Sequence, residues 1–253
     1  MTRMPLPACL RLSHPLWQCG FRPFFLTGSL VAVALMLLWG LFLGHGLPLL
    51  PPAALALPAG PFGWHAQGLL FGFGFAAVAG FVLVAGPEFT DTPPFPERYG
   101  RTLAACWLVG VLASGFAHPL AVLLTALAWA GLLGGLLALL LPRLWADPER
   151  RQMAFAWGIG GLLLVALGHQ ADLLRSLPPQ RWLHACVGLM MMLVVVALSR
   201  ISMRIVNLAI EEYHAEHAVL TSGADAEDSD ALAGRHPVYL ARPPRRRLAI
   251  LAI

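Results

Sequence analysis

The chain contains no lysine: all seventeen of its basic residues are arginine. Charge of either sign is scarce, at 12% of residues, and tyrosine occurs only three times. An ordinary soluble domain carries about 25% charged residues, so that class is excluded. At 58% hydrophobic, most of the chain is equally far from the polar composition of disordered proteins. The four cysteines, Cys9, Cys19, Cys106 and Cys186, show no CxxC or other metal-finger spacing. A disulfide framework is not expected. Phosphate-binding loops and nucleophile–base constellations are also missing.

What is present is apolar sequence in long runs. Six stretches fit membrane spans, at about residues 24–44, 64–86, 102–117, 120–141, 153–171 and 182–199. The third is the shortest. The expected fold is all-α, a polytopic transmembrane bundle of about six spans. With the N-terminus in the cytoplasm, every arginine except Arg175 and Arg181 falls inside, as the positive-inside rule requires. The basic pI of about 9.2 therefore orients the protein in a lipid bilayer and does not indicate nucleic acid. Residues 1–23 read as a cytoplasmic arm and 24–210 as the bundle. Residues 211–247 read as a partly disordered cytoplasmic linker, with an acidic run from Ala224 to Asp230. Arg245-Arg246-Arg247 followed by residues 248–253 reads as the start of a truncated seventh span, or as a short tail on the inner surface.

The stretch Trp64–Gly86 has no charged residue, and its small residues recur every four positions at Gly68, Gly72, Ala76 and Gly80. They form a nearly side-chain-free stripe, suited to a close-packed helix or to a flat ligand. His65 stands at its head. Gly131 and Gly135 give the fourth span a second packing face, and spans three and four form a hairpin turning at Ala117-His118-Pro119.

Five histidines fall at the outer ends of spans: His45, His65, His118, His169 and His184. His65 and His184 each follow a tryptophan, and each shares a face with glycine: Gly68 and Gly72 for the first, Gly188 for the second. Met191 and Met192 continue the His184 face. An imidazole beside a glycine gap suits haem, and imidazole with thioether suits copper. Interfacial histidines bonded to water or to carbonyls look the same in sequence. His169 is a further candidate metal ligand, with Asp172 three residues on and able to orient its ring. Arg22 lies at the membrane boundary, where it anchors topology or meets a phosphate.

Phe21-Arg22-Pro23-Phe24-Phe25 before a span, Trp64-His65-Ala66, Leu70-Phe71-Gly72-Phe73 and Ala79-Gly80-Phe81 together resemble the NnrS family. Leu183-His184, Gly188, Met191 and Arg200 resemble a later histidine-bearing helix of that family. The resemblance implies a bacterial inner-membrane protein of nitric oxide response and denitrification, with haem or copper as cofactor and nitric oxide as partner. With it, His65 and His184 are the expected cofactor-binding residues and metal ligands, Arg22 is grouped with them as an inner-surface anchor, and His169, which has no clear counterpart in the family pattern, is a candidate third metal ligand. The resemblance implies no catalytic residue. The family pattern His-Ala-His-Glu-Met reads His65-Ala66-Gln67-Gly68-Leu69 here, which leaves room for one cofactor or none. The match is to the N-terminal half of the family, so a C-terminal half or a membrane partner subunit is expected elsewhere. A small-molecule or metal transporter with an outer histidine vestibule is the alternative, and a purely structural membrane subunit the third reading.

Overall fold

A computed structural model describes residues 15–17, 19–45, 56, 59–146 and 152–221, with side chains as far as Tyr213. Most of the expected arm, the acidic run and the apolar tail lie outside the described residues. Six helices account for the expected spans: α1 (Phe21–His45), α2 (Gly60–Phe89), α3 (Glu97–Ala113), α4 (Pro119–Ala146), α5 (Met153–Leu174) and α6 (Gln180–Thr221). Among the described residues there is no strand. Five of the six are long and apolar enough to cross a membrane. The exception is α3, whose 17 residues reach about 26 Å against a hydrocarbon core of about 30 Å. The last helix also departs from expectation. It runs through residue 211, the expected start of the linker, and ends at Thr221. Two compact units divide the chain, Met1–Met192 and Leu193–Ile253. All the candidate site residues belong to the first.

Consecutive helices alternate in direction, so their ends sort into two layers. At one end Arg143 donates to the Thr92 hydroxyl (2.8 Å) and lies 3.8 Å over the Phe95 ring. At the other end Ala59, just before α2, forms a buried cluster with Val122 of α4 and Leu173 of α5. The five histidines expected at the outer side belong to this second end.

Apolar side chains gain nothing by leaving lipid for one another, so close packing and polar bonds must hold the helices together. The small-residue stripe of α2 supplies the packing for α1. Phe25 lies against Gly80, Gly28 against Ala76, Val31 against Gly72 and Leu35 against Gly68, an antiparallel register. A Cβ on Gly80 would stand 2.7 Å from the Phe25 ring, and one on Gly68 2.9 Å from Leu35 Cδ1. Four residues of α-helix overshoot a full turn by about 40°, so such a stripe should drift around the helix. In α2 it does not. Residues Gly68–Gly74 are π-helical, and their wider i→i+5 turns offset the drift.

The hairpin of α3 and α4 is held the same way. Leu103 fills the gap at Gly135, Cys106 the gap at Gly131, and the Trp129 ring the gap at Gly110. The interior is aromatic: Phe71 stacks on Phe75 at 4.9 Å, and Phe75 meets Trp129 edge-on at 5.5 Å. Trp107 Nε1 donates to the Gly72 carbonyl at 2.7 Å, a carbonyl within the π-helical segment.

Candidate functional site

The three candidate ligands sit in three different settings. His65, in the first turns of α2, is half-buried with its ring flat against the Trp39 indole of α1, at 4.3 Å and 14°. Gly68 makes this possible. The absence of a side chain there admits Leu35, which packs with Trp64, Leu38 and Phe42 and brings Trp39 one turn further along onto His65. The His65 Nδ1 is buried with no hydrogen-bond partner among the described residues. A histidine that ligates through Nε2 ordinarily donates its Nδ1–H to an acceptor, and His65 has none among those residues.

His184 is the opposite case. It is exposed on α6, and its Nδ1 lies 3.0 Å from the Gln180 carbonyl one turn earlier. A carbonyl only accepts, so this bond calls for a proton on Nδ1, which in the neutral ring leaves the Nε2 lone pair free. Gly188 on the same face has nothing within 4 Å of where a Cβ would stand, and Met191 is 59% exposed. This face is open.

His169 is closed in. It has 0% exposure, its ring meets Phe71 edge-on at 5.1 Å, and its Nδ1 lies 3.4 Å from the Gln170 amide. Its Nε2 has no hydrogen-bond partner among the described residues. An unsatisfied polar atom at that depth is rare.

The sequence expectation that Asp172 orients His169 is not met. Asp172 Oδ1 and Oδ2 accept from Arg181 Nη2 at 3.0 and 2.8 Å, Oδ2 accepts from Arg181 Nε at 3.1 Å, and Oδ2 takes Trp182 Nε1 at 2.8 Å. The carboxylate ties α5 to the start of α6, because a forked guanidinium and an indole N–H together outcompete an imidazole on its own helix. Nor do the candidates converge. His65 contacts α1, His184 contacts its own helix, and His169 faces α2. Among the described residues, no group of three or more His, Cys, Asp or Glu comes together.

Arg22 is far from all three. It is exposed at the arginine end, donates to the Pro15 carbonyl at 2.9 Å, and starts a helix whose Trp39 lies about 25 Å along. His45 and His118 are not drawn into the site either; the His118 Nδ1 accepts the Leu120 N–H at 3.2 Å and caps α4. Trp39, Gln170 and Gln180 are the site residues that sequence reasoning does not single out, and Trp182 enters there only as the tryptophan before His184. Only the Gln180–His184 pair carries a local signal, since residues four apart in a helix stand one above the other.

The sequence model of the NnrS protein family matches residues 15–233, most of the chain. The chain belongs to the NnrS family. That family is linked to nitric oxide response. No curated protein and no solved structure matches the chain. Within this family's pattern, Gly68 stands where the resemblance expects glutamate, and Leu35 occupies the space that side chain would need. Gln67, in place of the second histidine, is buried.

Proposed function

We propose that this NnrS-family chain is a bacterial inner-membrane protein that binds haem on the outward face of α6 and takes part in the nitric oxide response or denitrification. The observation that carries this reading is the His184 ring. Its Nδ1–H is held by a backbone carbonyl, its Nε2 lone pair is uncommitted, and Gly188 leaves the adjacent surface bare. An imidazole with that second bond and a flat neighbouring surface is one that would hold a haem iron. His65 can serve only if an acceptor reaches its Nδ1 or if coordination runs through Nδ1. His169 is too enclosed by Phe71 to meet a macrocycle. A closed copper site is not assembled by the described histidines, cysteines and carboxylates, so haem fits this arrangement better.

Haem, when bound, would supply an iron centre able to take up nitric oxide. The chain itself orients the imidazole and presents a bare helix face. Because that face is exposed, the reading expects a second membrane segment or partner subunit to cover it. The arginine-rich end faces the cytoplasm in this proposal, and the histidine end faces out.

The transporter reading calls for histidines lining one vestibule. Here His169 is enclosed and His184 lies on an exposed face, which favours ligation over a lined path. The test is the absorption spectrum and metal content of detergent-purified protein. A Soret band that disappears in His184→Ala supports the reading; a well-folded wild type without chromophore overturns it.

A further inference from the structure

The turn between α5 and α6 is built unlike any other connection described in the bundle. Asp172 is buried near the end of α5, its side chain 4% exposed, while Arg181, its ion-pair partner, is 68% exposed. Trp182 hangs from the same carboxylate by its Nε1–H. Its ring then lies across Gly168, so close to where a Cβ would be that nothing larger than glycine fits beneath it. Gly168 directly precedes His169, whose ring is enclosed and whose Nε2 has no partner among the described residues. Arg181 also lies 5.2 Å over the Trp182 ring. The turn is tight: Leu177 N–H returns to the Asp172 carbonyl at 2.8 Å, and Ser176 adopts a left-handed φ of 55°.

We infer that Asp172, Arg181 and Trp182 form a latch over His169, and that its release opens the buried imidazole to the outer side of the protein. The chemistry suits a latch. Its bonds are charge-assisted and concentrated on one carboxylate, so one substitution or one competing ion loosens them together. Arg181 is already in solvent, so it leaves the carboxylate without being stranded. The apolar joints elsewhere in the bundle have no such release. Trp182 and Asp172 are positioning residues: they act on His169 through α5, with the carboxylate committed to Arg181 and Trp182. The latch operates with or without haem.

The test is histidine modification by diethyl pyrocarbonate on the full chain in detergent, read residue by residue by mass spectrometry. In the wild type, exposed His184 should react and His169 should be protected. Arg181→Gln, which changes an exposed side chain, and Trp182→Phe, which keeps an aromatic ring and loses the N–H, should each raise the His169 rate at least tenfold. The His184 rate should stay within twofold, which controls for general unfolding. Reaction of wild-type His169 at the His184 rate would overturn the latch. So would a His169 rate unchanged in both variants.

Discussion

The joint between α1 and α2 and the joint between α5 and α6 hold membrane-length helices by different means. At the first, four small residues on α2 admit Phe25, Gly28, Val31 and Leu35, and the contact is made by packing. At the second, glycines again admit the partner, Trp182 over Gly168 and Leu189 over Gly161, but a buried carboxylate also accepts from three donors at one end. Packing spread along a helix has no single point of failure that chemistry can reach. A carboxylate does. In lipid, where apolar burial gives no drive, the first joint is a permanent seam and the second is one that can open.

Overfilling the seam should have the largest effect. Gly80→Leu would drive a side chain into the Phe25 ring and should cost about 3 kcal/mol or more, seen as loss of monodisperse protein and a lowered Tm. Gly168→Ala should come next. It collides with the Trp182 ring, and should both lower Tm and expose His169 to modification, a pairing the Gly80 variant lacks. Asp172→Asn keeps the size of the side chain and removes the charge, and should release Arg181 with a Tm loss that high salt in the wild type partly reproduces. Trp107→Phe removes the donor to the Gly72 carbonyl and should cost about 1 kcal/mol, leaving both joints shut. Gly188→Ala should leave Tm unchanged, since nothing lies within 4 Å, yet weaken the Soret band by crowding the bare face.

Much of this fold is legible in the sequence because lipid imposes few options. Apolar length sets the spans, and the four-residue recurrence of Gly68, Gly72, Ala76 and Gly80 marks the seam that α1 fills. The π-helical segment is not legible, because nothing in GLLFGFG separates it from an α-helix. The candidate site is legible only as a depth. Five histidines at one end can be read from span boundaries; their rotation about each helix axis cannot. So the sequence pairs His65 with His184, whereas the fold lays one on Trp39 and leaves the other outside. Asp172 shows the same limit. Its spacing to His169 is suggestive, and its actual partners nine and ten residues away depend on the turn at Ser176.

The most direct measurement is the visible absorption spectrum of the purified protein, taken for wild type, His184→Ala and His169→Ala. Haem held by His184 predicts a Soret band in the wild type, its loss in His184→Ala and its persistence in His169→Ala. A band that survives in His184→Ala, or a folded wild type with no band at all, would contradict that assignment.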